Sequence, residues 1–393
     1  MNTRIKRKLH ITCITLTFIF MACTQQYTVR GYIEGLTNDT IFVAAVSLNN
    51  FGEQEPIQDT IYCKKGRFNY SFANDGAYGL MFSFPQFFIL DRPTGGRYTP
   101  DNSNLAIFLE AGDKISFRGY IDSSGISHVT ISGTKLNRDY STIQNRMFEI
   151  NKNQVEEEMA FEQAMVDRDN EREDLGRANR QKRLNARQEL YGNFIRTNLD
   201  NPLSAFLLSQ QPLDSLDIYY HKLGENARNS IFHSLLDGVM EQSLTYTNAK
   251  KAVDEVVVGS KAPDFMLNDI NGQPFNLSSL QGKYIIIDFW GSWCGPCIAG
   301  FAQMKSLYEK HKSKLEIVGV ACNEEAVAGW KEAVKQHELP WINVYDDKSS
   351  AINVSYGVMA FPTKIVIDPE GTIIIREQGE GKNFYTQIES VIQ

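Results

Sequence analysis

The stretch that decides the fold is YIIIDFWGSWCGPC, residues 284–297. It begins as an apolar run interrupted by a single acid, Asp288, and it ends in Cys294 and Cys297 with a Gly-Pro dipeptide between them. An apolar run of this length is typical of a strand that is buried on both faces of a sheet. The residues after the run predict a helix, so the two cysteines lie where a strand turns into a helix.

A pair of cysteines two residues apart can be half of a zinc site, a disulfide staple or a redox pair. Zinc needs about four nitrogen or sulfur ligands, and the further candidates are only Cys322, His311 and His337, with no second CxxC. A staple across two residues closes almost no loop, so it removes little entropy from the unfolded chain. The spacing therefore favours a redox pair, and we expect no metal.

The position at the start of a helix gives the two cysteines different roles. Unpaired backbone N–H groups and the helix dipole at a helix N-terminus stabilise a thiolate, which lowers the pKa of a cysteine below its usual value of about 8.5. Cys294 is therefore the predicted nucleophile. Cys297 lies three residues later on the same helix face, where it can attack a mixed disulfide formed by Cys294.

Strands and helices alternate on both sides of this motif. Two short apolar runs joined by Asn271-Gly272 predict a β-hairpin before it. After it, further strands are predicted at residues 315–321, 341–345, 363–367 and 372–376, with helices between and after them. The last two strands form a hairpin, which makes the sheet mixed. We expect an α/β domain at residues 256–393, built on a central mixed sheet.

This domain resembles the thioredoxin superfamily, and most closely the TlpA-type (AhpC/TSA-like) membrane-anchored thiol-disulfide oxidoreductases. The resemblance extends from Gly259 to the end of the chain and rests on WCGPC, residues 293–297, after a strand that ends in Asp-Phe-Trp. It implies a thioredoxin fold, a thiol-disulfide oxidoreductase activity without a bound cofactor, and substrate contacts at Trp293, Gly295 and Pro296.

The resemblance also gives Asp288 a role, as a buried acid that helps the resolving cysteine to lose its proton. A carboxylate in an apolar strand has a raised pKa and can act as a base near neutrality. Thioredoxin keeps a lysine near this acid on the neighbouring strand, but residues 315–321 contain none. Many TlpA-type proteins carry a glutamate where this chain has Gly300. We therefore expect Asp288 to be the only acid near the thiols, and the glutamate-dependent specificity of cytochrome c maturation not to transfer.

Phe361-Pro362-Thr363 resembles the cis-proline loop of the family, which lies against the cysteine pair. A cis X-Pro bond is uncommon enough in folded proteins to mark a deliberate feature. The resemblance implies that Phe361 and Pro362 bind substrate, with the backbone of Phe361 open to strand-like pairing.

The first residues predict export and lipidation. Basic residues precede an apolar run at 11–21 that is too short to span a bilayer, which predicts a signal peptide at residues 1–22. FMAC, residues 20–23, resembles the bacterial lipoprotein box, in which the cysteine becomes the lipidated N-terminus. Lipid chains on Cys23 would hold the protein at the lipid membrane. We therefore expect a lipid-anchored protein on the periplasmic side of the cell envelope. The alternative is an ordinary signal peptide that is cut nearby.

Two further regions lie between the signal and the redox domain. Short apolar runs and turn signals at residues 23–133 predict an all-β, antiparallel sandwich or barrel. Residues 134–255 show apolar residues at helical spacing and predict a helical linker domain. Its charged stretch between Glu156 and Arg187 is interpreted as a solvated helix face with ion pairs. We expect Cys63 and Cys322 to be buried structural thiols.

The net charge argues against one class of partner. The chain has 47 acidic and 40 basic residues, for a formal charge of −7. General nucleic-acid binding depends on Lys and Arg side chains that neutralise phosphates. We therefore expect no nucleic-acid partner.

Three functions compete for the whole chain. The leading one is a reductase that acts on disulfide-containing exported proteins and is itself reduced by a membrane electron donor. The Gly-Pro dipeptide supports it, because thioredoxin, which has the same dipeptide, is reducing at about −270 mV whereas DsbA is oxidising at about −120 mV. The second is a peroxiredoxin-like peroxide reductase, and the third is an envelope binding or assembly module with a non-essential redox domain.

Overall fold

The computed structural model describes residues 26–37, 39–73, 76–84, 90–122, 125–347, 350–381 and 383–392. The predicted signal peptide and Cys23 lie outside the described residues. The chain forms two compact units, of which the first runs to Leu207 and includes Gly224–Leu235, while the second comprises Leu208–Leu223 and Leu236–Gln393. The domain boundaries given above stay predictions. Within the described ranges, no helix combines the length and the apolar character that a membrane crossing requires.

The first unit contains two four-stranded sheets. Its strands are β1 (Gln26–Glu34), β2 (Asp39–Ser47), β3 (Ile57–Cys63), β4 (Arg67–Ala73), β5 (Tyr78–Ser83), β6 (Leu90–Asp91), β7 (Arg97–Tyr98), β8 (Asn104–Leu109), β9 (Lys114–Asp122) and β10 (Gly125–Ser132). One sheet has the order β10-β9-β1-β4 and the other has the order β3-β2-β5-β8, while β6 and β7 pair with each other.

Apolar side chains from the two sheets meet in one core. Val29 and Phe117 come from one sheet and Ile41 and Phe82 from the other, and all four are buried in the same cluster. The ring centroids of Phe82 and Phe117 are 5.7 Å apart. Because side chains alternate between the two faces of a strand, the inward residues of both sheets fill the space between them and form a sandwich.

The expectation of a wholly antiparallel arrangement is wrong for one pair of strands. β1 pairs with β9 in parallel, from Thr28 opposite Lys114 to Glu34 opposite Tyr120. Alternation of apolar and polar residues tells which face a side chain takes, but it does not tell the direction of the strand. The connection from β1 to β9 passes through most of the sandwich, and a connection of that length permits a parallel pairing.

Helices follow the sandwich in the chain. They are α1 (Lys135–Ile150), α2 (Gln154–Asp167), α3 (Asn170–Thr197), α4 (Pro202–Ser209), α5 (Leu213–Tyr220), α6 (Glu225–Arg228) and α7 (His233–Glu255).

α1 docks on the sandwich through two amide side chains. Asn137 bonds the backbone N–H and C=O of Phe108 at 2.9 and 2.6 Å, and Asn145 bonds those of Val129 at 2.7 and 2.6 Å. Phe108 lies on an edge strand and Val129 at a bulge in β10, so the helix satisfies backbone groups that the ladders leave open.

The ion pairs predicted for the charged stretch are present. Arg180 pairs with Glu158, and Arg183 pairs with both Glu157 and Glu158, which ties α3 to α2. Arg177 adds exposed pairs within α3. The prediction of ion pairs is therefore confirmed, although the side chain of Arg183 is only 13% exposed and is not simply solvated.

The second unit contains the predicted mixed sheet. Its strands are β11 (Met266–Asn268), β12 (Pro274–Asn276), β13 (Tyr284–Trp290), β14 (Leu315–Cys322), β15 (Ile342–Asp346), β16 (Thr363–Ile367) and β17 (Ile373–Gln378), and its later helices are α8 (Gly295–His311), α9 (Val327–Gln336), α10 (Ile352–Ser355) and α11 (Phe384–Ile392). The five-stranded sheet has the order β15-β14-β13-β16-β17. The first three of these strands are parallel, and β16 and β17 run antiparallel to their neighbours. The thioredoxin-like α/β architecture is thus confirmed.

The central strand β13 places its side chains alternately in two cores. Ile286 and Trp290 lie in the core on the side of α8, whereas Ile287 and Phe289 lie in the core on the opposite side. By the same alternation Asp288 points to the side of α8. α8 starts a few residues beyond the carboxyl end of β13, so its first turn lies at the edge of the sheet where binding sites of α/β proteins are found.

Candidate active site

The two cysteines of the motif form a disulfide at the start of α8. Cys294 is the N-cap residue, and its Sγ accepts a hydrogen bond from the backbone N–H of Cys297 at 3.2 Å. Both are almost fully buried, at 4% and 2% exposed, while Gly295 and Pro296 between them are exposed. The contact of Sγ with an N–H group at the helix start is the kind of interaction that stabilises a thiolate there once the disulfide is reduced.

The residues before Cys294 are held by the segment that follows β14. Glu324 accepts a hydrogen bond from the backbone N–H of Ser292 at 2.6 Å and another from its hydroxyl. The indole Nε1 of Trp293 donates to the carbonyl of Cys322 at 3.2 Å. These contacts fix the turn between β13 and α8. Sequence reasoning did not find Glu324, because its partner lies in a distant part of the chain.

An apolar rim surrounds the disulfide. The Trp293 side chain is 52% exposed, and its ring meets the ring of Phe361 edge to face at 5.2 Å between centroids. The Phe361–Pro362 peptide bond is cis, as the resemblance implies. The carbonyl of Pro362 accepts a hydrogen bond from Gly379 at 2.7 Å, and the ladder of β16 begins only at Thr363, so Phe361 lies beyond it. The exposed ring of Trp293 and the partly buried ring of Phe361 thus lie on the side of the helix start that carries the disulfide.

Asp288 lies under the helix that carries the cysteines and is 2% exposed. Burial raises the pKa of its carboxyl group above the usual value, the positive charge of Lys364 opposes that rise, and the negative charge of Glu380 adds to it. The Nζ of Lys364 is 3.5 Å from Oδ1 of Asp288, and Lys364 is itself 1% exposed. Asp288 is therefore a buried acid that ionises less readily than a surface acid.

Lys364 lies beside the buried acid, although β14 contains no lysine. Lys364 stands directly opposite Asp288 on β16, the antiparallel neighbour of β13. The prediction considered only β14, where Gly319 is the residue opposite Asp288. The motif therefore has its lysine on the other neighbouring strand, and the signal for it was a single charged residue in the apolar run TKIVI at 363–367.

A second acid accompanies Asp288, so the expectation of a single acid is wrong. Glu380 follows β17 and forms an ion pair with Lys364 through Oε1. Its Oε2 accepts a hydrogen bond from the hydroxyl of Tyr385 at 3.1 Å. This carboxylate lies against Gly300, one helical turn after Cys297. Glu380 thus brings a carboxylate next to Gly300 from a loop near the end of the chain.

The other cysteines and a metal site are the remaining alternatives for chemistry. Cys63 and Cys322 are buried. Burial raises the pKa of the Cys322 thiol well above its usual value, and the nearby carboxylate of Asp346 adds to the rise. In the described part of the chain no group of three or more His, Cys, Asp or Glu side chains is arranged to hold a metal ion.

Comparison with known proteins agrees with this geometry. The model of the AhpC/TSA family matches residues 258–376. The thiol-disulfide oxidoreductase ResA of Bacillus thuringiensis subsp. konkukian is 36% identical over 128 residues, which cover 32% of this chain and 73% of that relative. The chain belongs to the thioredoxin-like AhpC/TSA family. ResA of Bacillus subtilis is likewise 36% identical, over 126 residues that cover 32% of this chain and 68% of the relative.

One solved structure is similar in sequence to part of this chain. It is the crystal structure of the thioredoxin domain of a thiol-disulfide oxidoreductase from Bacteroides vulgatus. The two sequences are 29% identical, the TM-score is 0.33, and the match covers 35% of this chain and 99% of the Bacteroides vulgatus chain. Given its curated relatives, the protein is an oxidoreductase of the thiol-disulfide class.

Proposed function

We propose that this protein reduces disulfides in other exported proteins by cycling Cys294 and Cys297 between the dithiol and the disulfide. The observation that carries the proposal is the disulfide at the N-terminus of α8. A bond across two intervening residues adds little to stability, because the loop that it closes is very short. Its value to the protein therefore lies in its chemistry.

The first step belongs to Cys294. In the reduced protein its thiolate is stabilised by the N–H of Cys297 and by the dipole of α8. The thiolate attacks one sulfur of the substrate disulfide, a new bond forms between Cys294 and that sulfur, and the other substrate sulfur leaves as a thiolate. The product of this step is a mixed disulfide.

The second step belongs to Cys297 and Asp288. Cys297 is 2% exposed, so an internal base has to take its proton. The Asp288 carboxylate accepts that proton, directly or through one intervening water, and the Cys297 thiolate attacks Sγ of Cys294. The Cys294–substrate bond breaks and the second substrate thiolate leaves. Two electrons have then moved from the cysteine pair to the substrate, and the pair is in the oxidised state described above.

The rim around the disulfide holds the substrate. Trp293 and Phe361 supply aromatic rings, and the exposed Gly295 and Pro296 lie between the two cysteines. Phe361 and Pro362 precede β16, so the backbone of Phe361 can continue the strand and pair with an extended substrate segment. Such pairing uses main-chain groups, which suits an enzyme that acts on many polypeptides.

The cycle also requires a source of electrons and a place in the cell where that source is within reach. Each turnover leaves the pair oxidised, so a thiol donor must reduce it again, and for a protein in the envelope this donor is a membrane protein. Lipid on Cys23 would hold the enzyme on the periplasmic side of the envelope beside such a donor. No cofactor enters the cycle, because both electrons are carried by sulfur.

Trapping of mixed disulfides tests the proposal. In Cys297→Ala the second step is absent, so adducts between Cys294 and substrates accumulate and run as higher bands on non-reducing gels. Cys294→Ala is the matched control, because it keeps one buried thiol of the same pair. We expect exported proteins in adducts of Cys297→Ala and none in Cys294→Ala. Equal yields from both variants, or no adducts from Cys297→Ala, would contradict the proposal.

The reduction potential decides the direction of transfer. We expect a value near that of thioredoxin, about −270 mV, when the pair is equilibrated with glutathione buffers. A value above about −180 mV would place the pair with disulfide-forming oxidases and would contradict the reductase function.

A further inference from the structure

Three charged side chains form a chain beneath α8. Asp288 and Lys364 are each about 2% exposed at the side chain, and Glu380 is 22% exposed. Lys364 lies between the two acids, 3.5 Å from Asp288 and in direct contact with Glu380. Two carboxylates therefore compete for one ammonium group. In a site with little water such competition affects how strongly Lys364 stabilises the Asp288 carboxylate.

The surroundings hold the Glu380 carboxylate in this place. One oxygen contacts Lys364 and the other accepts a hydrogen bond from Tyr385 at 3.1 Å. The Lys364 ammonium also lies 5.9 Å from the ring centroid of Phe384. The side chain of Glu380 thus has a defined position even though its outer part reaches the surface.

Gly300 provides the space for that carboxylate. A β-carbon on Gly300 would lie 2.5 Å from Cδ of Glu380 and 2.7 Å from its Oε2, far inside van der Waals contact. Glycine is a poor helix former, and Gly300 lies within α8 with ordinary helical backbone angles, so the backbone does not require it. Its advantage at this position is the absence of a side chain.

We infer that Glu380 is a positioning residue for the second step of the cycle: it holds Lys364 between two carboxylates and so sets the pH range in which Asp288 accepts the proton of Cys297, and Gly300 makes room for it. This inference rests on the proposed function and adds to it the residues that regulate its base.

The direction of the effect follows from the charges that surround Asp288. Lys364 comes from β16, Glu380 from the loop after β17 and Tyr385 from α11. β14 places Gly319 opposite Asp288 and carries the buried thiol of Cys322, which also interacts with Asp288. Cys297 of α8 belongs to the core on the same side of the sheet. Glu377 is the register partner of Lys364 on β17, and its carboxylate lies against Gly381. Loss of the negative charge at Glu380 leaves Lys364 to stabilise the Asp288 carboxylate alone, which lowers the pKa of Asp288. Loss of Lys364 has the opposite effect.

The test separates the two chemical steps. When the reduced protein reacts with 5,5′-dithiobis(2-nitrobenzoate), attack by Cys294 releases one coloured thiolate and attack by Cys297 releases a second. Stopped-flow absorbance from pH 5 to 9 follows both phases. The variants are Glu380→Gln, Gly300→Ala and Lys364→Met, with Tyr385→Phe as a control that alters the same contact without changing its charge.

We expect the pH midpoint of the second phase to fall in Glu380→Gln and in Gly300→Ala, and to rise in Lys364→Met. A shift of one unit corresponds to about a tenfold faster second phase below the wild-type midpoint. The first phase should keep its wild-type profile, and Tyr385→Phe should move the second phase by less than Glu380→Gln does.

Gly300→Ala keeps all charges and only displaces the end of the flexible Glu380 side chain. It therefore tests the inference even if Lys364→Met does not fold. Profiles of Glu380→Gln and Gly300→Ala that coincide with the wild type would overturn the inference. Failure of the proposed function is a different result, in which Asp288→Asn also has the wild-type second phase or the wild-type protein releases no second equivalent.

Discussion

Two buried carboxylates, Glu162 in the first unit and Asp288 in the second, lie in opposite surroundings. Glu162 accepts hydrogen bonds from Nε of Arg92 at 2.8 Å and from the hydroxyl of Thr94 at 2.9 Å. Asp288 has an ammonium group at 3.5 Å, and among the described residues its Oδ1 has no hydrogen-bond partner. The hydrogen bond from Arg92 lowers the pKa of Glu162, whereas burial raises that of Asp288. A buried acid with filled lone pairs is structural, and one with an open lone pair is available for proton transfer.

The largest expected effect is on catalysis. Asp288→Asn should slow the attack of Cys297 by about 10²-fold or more, because an amide cannot accept the proton that a general base takes. Glu162→Gln removes the other buried carboxylate in the same way and should leave the rate unchanged. The second thiolate release in the stopped-flow assay measures both. If both variants slowed the second thiolate release equally, the contrast between a catalytic Asp288 and a structural Glu162 would be wrong.

The next effect is on stability in the first unit. Arg92→Met should lower the Tm by about 3 °C at pH 7, because Glu162 loses its cation while part of the Arg92 side chain was already solvated. The folded-state pKa of Glu162 is lowered, so its contribution is present above the ordinary pKa of the group and is lost as the pH falls through the folded-state value. The deficit should therefore shrink on acidification. Arg97→Met, at an exposed arginine nearby, is the control, and a deficit independent of pH would contradict this account.

The smallest effect has the opposite sign. The pKa of Asp288 is higher in the folded protein than in the unfolded chain. At pH values between the two, the folded protein therefore binds more protons than the unfolded chain. Because of this difference, the folded protein loses stability as the pH rises from the unfolded-state pKa to the folded-state pKa. Asp288→Asn removes this loss and should raise the free energy of unfolding by about 1 kcal/mol at pH 8, with the gain fading toward pH 4. Urea unfolding of the oxidised protein measures it. A variant less stable than the wild type at pH 8 would mean that Asp288 is structural like Glu162.

The placement of Cys294, Cys297 and Asp288 was predictable because these residues lie within one strand-turn-helix segment. Asp288 interrupts an apolar run, and Cys294 and Cys297 share one helix face. Local geometry alone relates these positions. The cis bond before Pro362 was implied by the resemblance in the same way, through a short motif.

The partners of these residues were not predictable, because strand order and loop paths bring them in. Lys364 meets Asp288 since β16 inserts beside β13, and nothing in the local pattern orders β14 and β16 around that strand. Glu380 lies in a loop with no periodic signal. The helix that follows β14 begins only at Val327, since the Glu324 side chain bonds Ser292 and stays outside the helix.

The parallel pair of β1 and β9 has a consequence for how the chain is made. β1 is synthesised first among the strands of its sheet, yet it lies between β4 and β9. At about 5–20 residues per second, β9 leaves the ribosome several seconds after β1, and during that time one edge of β1 has no partner. Unpaired edges are where chains aggregate, so this edge of β1 is open to aggregation until β9 pairs with it.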